Sequence, residues 1–271
     1  MGVIFFVLGL CCGSFVNMLV YRTAVDYGLL KLGRDKSRPY TNNSRGLIHQ
    51  TRSYCDYCGK QLDWYENIPV VSWIVQRGKT RCCRKKLSIL YPITEIITGL
   101  LFLIHDSRFM IQESNVTLWV LGLLIIVFLV FSAVFDVKYM ILPDFSTVIL
   151  VISALVFWGF GHLGEWNYLV SAAAAFGFLG LLCLITKGRG MGLGDVKLAV
   201  FMGLLLGGQK TILAFYIAFV GGALIALVLM VFKKAGRKTL VPFGPFLIFG
   251  TLVAWFWGDQ LFSLSAFQFF R

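Results

Sequence analysis

Charged side chains are scarce in this chain, at 14% of its 271 residues. Soluble domains carry about 25% charged residues, and only about half of their residues are apolar. Here 58% of the residues are hydrophobic, and they are concentrated in runs long enough to cross a bilayer. These features exclude an ordinary soluble domain, and the sequence predicts an all-α, polytopic membrane bundle.

Acidic residues are the rarer charged class, with 13 Asp and Glu against 25 Lys and Arg and a net charge of +12. In a soluble protein this excess would suggest nucleic-acid binding, but no recognised nucleic-acid-binding module accompanies it. In membrane proteins, basic residues mark cytoplasmic loops and contact anionic lipid. We therefore expect the lipid bilayer, and no nucleic acid, among the partners.

The N-terminal apolar run lacks the features of a cleaved secretory signal, because no basic segment precedes it and no small-residue cleavage site follows. We therefore expect a retained first span, followed by seven more apolar segments. Between the first two lies a polar loop at 23–89, which we expect to form a cytoplasmic subdomain. The eight segments are 2–21, 90–105, 117–135, 145–161, 167–186, 196–209, 211–232 and 242–258.

The distribution of basic residues predicts the orientation of these segments. Residues 22–86 contain 14 of the 25 Lys and Arg. If this loop is cytoplasmic, eight crossings leave only Arg108, Lys210 and Arg271 on the outer side, as the positive-inside rule requires. The N-terminus is then expected outside the cell membrane.

The same count requires a break in the chain near residues 207–210. Without that break, the basic groups at 187–197 and 233–238 would lie on opposite sides of the bilayer. We therefore expect two spans, and not one long helix, between residues 196 and 232.

Two of the few acidic residues lie at span ends on the predicted cytoplasmic side. Asp136 closes the third span, and Asp195 opens the sixth after Gly192 and Gly194. Two neighbouring carboxyls can hydrolyse a peptide bond, because one accepts a proton from water while the other polarises the carbonyl. The glycines would let backbone and substrate approach Asp195 closely.

A structural role for the acidic residues is the alternative. Asp is a preferred helix-capping residue, so Asp195 could simply cap the sixth span, and Asp144 the fourth. Glu95 lies inside the second span, where a carboxyl needs a polar partner. It could serve structural pairing or a second activity.

Four of the seven cysteines lie in the polar loop. Because disulfides are rare in the cytoplasm, a zinc site is the sharper interpretation. Cys55 and Cys58 have a spacing that suits two ligands of one tetrahedral ion, whereas Cys82 and Cys83 are adjacent, and we expect strain if both bind it. Four cysteines, three cysteines with another ligand, and unliganded thiols are the alternatives.

Taken together, these motifs resemble those of the type IV prepilin peptidases, bacterial members of the GxGD class of membrane aspartyl peptidases. The resemblance runs in order over nearly the whole chain. The matching stretches are Gly13-Ser14-Phe15-Val16-Asn17 with Tyr21-Arg22, Cys55-x-x-Cys58-Gly59, Glu66-Asn67-Ile68-Pro69-Val70-Val71-Ser72-Trp73, Tyr91-Pro92-Ile93-Thr94-Glu95, Asp136 with Leu142-Pro143-Asp144, Gly192-x-Gly194-Asp195-x-Lys197, and Pro242-Phe243-Gly244-Pro245-Phe246.

The resemblance implies cleavage of short basic leaders from prepilins or pseudopilins at the cytoplasmic face of the bacterial inner membrane. It implies that Asp136 and Asp195 are the catalytic pair, that proteolysis needs no cofactor, and that residues 106–271 form the peptidase domain. The residues expected to support this site are Gly192, Gly194, Lys197 and Asp144.

Many members of this family also methylate the new N-terminus with S-adenosylmethionine, an activity associated with the N-terminal region. Here that region is 1–105, and Glu95 is the candidate residue. The second cysteine pair departs from the usual Cys-x-x-Cys, because alignment on Tyr91-Pro92 places Thr80 at the third cysteine and Cys83 at the fourth.

Two alternatives to a bifunctional enzyme follow from the sequence. One is a peptidase without methylation, and the other is a transporter or membrane scaffold. A transporter should carry charges at the midplane and paired broken helices. The motif acids of this chain lie at one face, which favours the enzyme.

Overall fold

A computed structural model describes residues 2–29, 55, 57–58, 60–112, 115–161, 163–188, 191–232 and 242–263. These residues form helices joined by turns, with an isolated antiparallel bridge between Lys79 and Lys86. The predicted all-α class is therefore confirmed. Loop residues 30–54 and the basic cluster at 233–238 lie outside the described residues.

The described helices agree broadly with the predicted apolar segments. Six of them are long and apolar enough to cross a membrane, and α3 adds another long helix at the position of the second predicted segment. The short α2 and a 3₁₀ turn at Trp64–Asn67 belong to the polar loop. The helices are α1 Gly2–Asp26, α2 Val71–Val75, α3 Leu90–Gln112, α4 Val116–Tyr139, α5 Asp144–Gly161, α6 Trp166–Ile185, α7 Leu193–Val231 and α8 Gly244–Ser263.

Helix α7 contains the break that the basic residues required. It has 39 residues, and Gly207 within it departs from helical geometry with φ 71° and ψ −178°. Thr211 Oγ1 lies 3.4 Å from the Met202 carbonyl oxygen, although nine residues of straight helix rise about 13 Å. The chain therefore turns sharply at Gly207, and α7 consists of two segments, as predicted for 196–209 and 211–232.

Small residues allow this turn to pack closely against α6. At Gly207 the positive φ strains any other residue, and a Cβ there would lie 3.3 Å from the Tyr168 ring. One turn earlier, a Cβ at Gly203 would come within 2.4 Å of the Ala172 Cα. The backbones of α6 and α7 are thus in contact, which is typical of helix pairs in membranes.

The chain divides into two units, Met1–Ser107 and Arg108–Arg271. In the first unit, α1 packs on α3 through glycines, since a Cβ at Gly13 would lie 2.6 Å from the Glu95 Cα. In the second unit, α4 to α8 surround an apolar core that includes the fully buried Leu150 and Phe201. The two aspartates singled out by the sequence both belong to the second unit.

Candidate active site

Asp136 lies in the last turn of α4 and is only 6% exposed. Its Oδ2 accepts a hydrogen bond of 3.1 Å from the backbone N–H of Gly244. Gly244 is the first residue of α8, and N–H groups at a helix start have no partner within the helix. A Cβ at residue 244 would lie 2.6 Å from the same oxygen, so this contact requires glycine.

Asp195 occupies the first turn of α7 and is 7% exposed. Its Oδ2 accepts a hydrogen bond of 3.1 Å from the N–H of Gly192, the residue that caps the helix. The expectation that Asp195 might itself be the cap is therefore wrong in detail. Its carboxylate instead receives the N–H of the capping residue, as the third residue of a capping box does.

The fold places the two aspartates near each other, each at a helix end. Leu142 links their surroundings. A Cβ at Gly194 would lie 2.8 Å from the Leu142 Cβ, and one at Gly244 would lie 3.5 Å from its Cδ1. Leu142 therefore packs against the backbone beside each carboxylate.

Asp144 and Lys197, the other two expected supporting residues, form an ion pair beside this site. Their Oδ1 and Nζ atoms are 2.6 Å apart, and their side chains are 72% and 47% exposed. Asp144 is the first residue of α5, so the pair connects the start of α5 to the first turns of α7. Ion pairs this exposed contribute little stability.

Gly244 is the site residue for which the sequence predicted no role. It is 108 positions from Asp136 along the chain, so no local pattern links the two. In the sequence, the role of Gly244 is signalled by its place in the stretch Pro242–Phe246, which is one of the stretches that carry the resemblance. The close contact with Asp136 Oδ2, which leaves no room for a Cβ, explains why a glycine stands there.

The four loop cysteines form a second cluster, with all Sγ atoms within 4.8 Å of one another. Cys55 and Cys83 are 3.8 Å apart at sulfur, and Cys58 and Cys82 are 3.2 Å apart. A tetrahedral zinc ion with Zn–S bonds of about 2.3 Å places its sulfurs about 3.8 Å apart. The four sulfurs therefore fit a zinc ion. Cys82 and Cys83 both lie in the cluster, although strain was expected because they are adjacent.

The turn at residues 80–85 makes this convergence feasible. Arg84 has φ 54°, and the Thr80 N–H donates to the Lys85 carbonyl at 2.9 Å. The Thr80 hydroxyl lies 3.1 Å from Cys83 Sγ. This hydrogen bond is the main cause that lowers the pKa of Cys83 to about 7, whereas burial raises the pKa of Cys82 to about 12. Metals bind the thiolate, so Cys83 is the readier ligand of the two. Thr80 therefore supports the cluster from the position where the family usually has a cysteine.

Glu95 has the polar partners that its burial requires. Its side chain is 7% exposed, and its Oε2 accepts a 2.7 Å hydrogen bond from the Val70 N–H. Ser14 and Asn17 of α1 lie beside its carboxylate. Val70 has φ 60°, a conformation that is rare for a β-branched residue. Glu95 thus ties α1, α3 and a strained turn of the loop together.

Comparison with known proteins gives a consistent result along the chain. Residues 7–109 match the bacterial peptidase A24 N-terminal domain, and residues 123–227 match the type IV leader peptidase family. A prepilin leader peptidase/N-methyltransferase from Stutzerimonas stutzeri is 31% identical over 98% of this chain and 93% of its own length. One from Bacillus subtilis is 32% identical over 83% of this chain and 90% of its own. No solved structure matches the chain.

Proposed function

The chain belongs to the type IV leader peptidase family, and from that premise we propose that Asp136 and Asp195 are its catalytic carboxyls. The protein is an integral membrane enzyme, an aspartic endopeptidase that removes the leader from prepilins and methylates the new N-terminus. One observation carries the residue assignment. Two buried carboxylates from different helices share one site, and the N–H of a glycine anchors each of them.

The two carboxyls divide the work of hydrolysis. One accepts a proton from the attacking water, and the other, protonated, donates a hydrogen bond to the scissile carbonyl. Neighbouring carboxyls share a proton because both cannot ionise easily, so the proton belongs to the pair. The N–H groups of Gly192 and Gly244 hold Oδ2 of each aspartate, and we assign the contacts with water and substrate to Oδ1.

The place of these residues in their helices supports a site at the membrane surface. Asp136 lies in the last turn of α4 and Asp195 in the first turn of α7. A prepilin carries a basic leader before an apolar helix, so its cleavage point also lies at that boundary. The basic residues of the chain favour the cytoplasmic face for this site, with the N-terminus outside.

The N-terminal unit has the features expected of a methyltransferase part. Cys55, Cys58, Cys82 and Cys83 would hold a zinc ion that stabilises the loop, because a structural metal contributes directly to folding of its own module. S-adenosylmethionine would supply the methyl group. The buried acceptors around Glu95 suit a positively charged reactant.

A peptidase without methylation is the second candidate, and the observation that favours it is Thr80 in place of the usual third cysteine. The cluster of four sulfurs argues against this candidate, because Cys82 takes up the missing position. A transporter or scaffold is disfavoured because both aspartates lie at helix ends and share one site.

The mass of a prepilin before and after incubation with the purified protein tests this proposal. Loss of the leader followed by a gain of one methylene is the expected result for the bifunctional enzyme. Leader loss alone would leave the peptidase and remove the methyltransferase. An unchanged mass, with the protein shown to be folded, would contradict both.

A further inference from the structure

Glu95 is a buried acid that proteolysis does not use. The Val70 N–H donates to its carboxylate at 2.7 Å, and the polar side chains of Ser14 and Asn17 lie beside it. An ionised carboxylate has about four lone-pair positions, so these neighbours leave room for another donor. They also fix the orientation of the group and hold it in place as an acceptor.

Asn17 adds a second acceptor to this cluster. It is 5% exposed, and its Nδ2 donates to the Tyr91 carbonyl at 3.1 Å. Its Oδ1 is buried and has no hydrogen-bond partner among the described residues. Because the amide nitrogen donates to the Tyr91 carbonyl, rotating the amide would break that bond. A buried acceptor without a donor is destabilising, and such a group calls for a specific explanation.

We propose that Glu95 and Asn17 bind the α-ammonium group of the cleaved pilin and present it for methylation. This inference rests on the methyltransferase activity proposed above. An ammonium group supplies both things that the cluster needs: a positive charge beside the Glu95 carboxylate and N–H donors for the Asn17 oxygen. The pilin amine is the group that methylation consumes, so a site for it must exist in the enzyme.

The proposed step is balanced. Glu95 accepts one proton from the ammonium, which frees the lone pair of the nitrogen. That lone pair forms the bond to the methyl carbon, the carbon–sulfur bond of S-adenosylmethionine breaks, and its electron pair stays on sulfur. The positive charge passes from the sulfonium to the N-methylammonium product. Glu95 touches the reacting nitrogen and is therefore a catalytic residue in this proposal, whereas Asn17 binds.

The first test is Glu95→Gln, which keeps the size of the side chain but removes its charge. We expect leader cleavage close to the wild-type rate and a loss of methylation of at least about 100-fold, within the range for removing a general base. Asp106→Asn is the matched control, because Asp106 is an equally buried acid of the same helix. It should keep both activities.

A binding measurement separates amine recognition from methyl transfer. A fluorescent peptide with the N-terminal sequence of mature pilin, either with a free α-amine or acetylated, is titrated into detergent-solubilised protein without methyl donor. Wild type should bind the free-amine peptide about 10-fold more tightly or better, as a charge-assisted hydrogen bond would give. Glu95→Gln should remove this preference, and Asn17→Ala should reduce it.

Equal binding of the two peptides by wild type would overturn the proposal. Normal methylation by the Glu95→Gln enzyme would overturn it as well. Lost methylation with an unchanged amine preference would also overturn it, because Glu95 would then serve only to hold α1, α3 and the loop together. If wild type cleaves pilins but methylates none, the methyltransferase assignment fails, while the peptide titration still decides whether an amine site exists. The Asn17→Ala variant keeps the titration decisive if Glu95→Gln does not fold.

Discussion

The two units of this protein hold their reactive groups in different ways. In Arg108–Arg271, backbone N–H groups of Gly192 and Gly244 hold the two carboxylates. In Met1–Ser107, side chains share this work with the backbone: the Val70 N–H donates to Glu95, and the Thr80 hydroxyl contacts Cys83 Sγ. A backbone donor persists in every variant except proline but is displaced by added volume, whereas a side-chain donor is lost when its residue is replaced. The peptidase site should therefore be sensitive to volume, and the N-terminal unit to chemistry.

The largest expected effect is that of Asp136→Asn and of Asp195→Asn. Asn keeps the size of each side chain and can still accept the glycine N–H, but it cannot share the proton of the pair. We expect each variant to lose leader cleavage by about 10⁴-fold or more, with normal expression and folding. Prepilin processing followed by mass measurement checks this. Full activity in either folded variant would reject the pair.

Adding a single carbon beside the pair should have the next largest effect. In Gly244→Ala, the new Cβ would lie 2.6 Å from Asp136 Oδ2, so the carboxylate must move. A displacement of about 1 Å costs roughly 100-fold in rate, and we expect that loss in the kcat of cleavage. Gly221→Ala is the control, because a Cβ there meets nothing within 4 Å. Equal activity of the two variants would show that the backbone contact does not position Asp136.

Zinc binding by the cysteine cluster should be lost when serine, a side chain of similar size, replaces cysteine. We expect the purified protein to carry at most one zinc ion and the double variant Cys55→Ser/Cys58→Ser to carry none, since thiolates are the ligands. The product pilin should then be cleaved but unmethylated, because the cluster lies in the other unit from the aspartates. Elemental analysis and pilin mass together check this. Uncleaved prepilin, with folded membrane helices, would mean that the loop is needed to build the peptidase site.

The smallest effect is expected for Asp144→Asn. The ion pair of Asp144 with Lys197 is largely exposed, and such pairs contribute about 0–1 kcal/mol. Initial rates of cleavage should therefore stay within about fivefold of wild type. A variant as inactive as Asp136→Asn would place Asp144 in the catalytic machinery and not beside it.

The features that the sequence could predict are those that depend on composition and local order. Apolar runs predicted the long helices, and the positions of basic residues predicted the turn now seen at Gly207. Two acids at helix ends suggested a carboxylate pair and the resemblance implied it, and its catalytic role stays a prediction. The observed α3 extends to Gln112, beyond the predicted end at 105, because polar residues near the end of a helix weaken the apolar signal without ending the helix.

Contacts between distant residues could not be predicted in this way. The donation from Gly244 to Asp136 depends on how α8 packs against α4, and nothing in either segment alone encodes it. The approach of Cys82 and Cys83 to Cys55 and Cys58 depends on how the loop folds, with a turn at Arg84 whose φ is 54°, whereas the adjacency of Cys82 and Cys83 alone suggested strain. The unpartnered Asn17 oxygen likewise appears only when α1 and α3 are placed together.

The most direct test of the central claim is the rate of leader cleavage by the double variant Asp136→Asn/Asp195→Asn beside the two single variants. If the two carboxyls act as one proton-sharing unit, removing the second should cost almost nothing once the first is gone. We predict that all three variants have the same residual rate, with the same content of folded protein. Losses that multiply in the double variant would contradict this account, because they would show two residues acting independently.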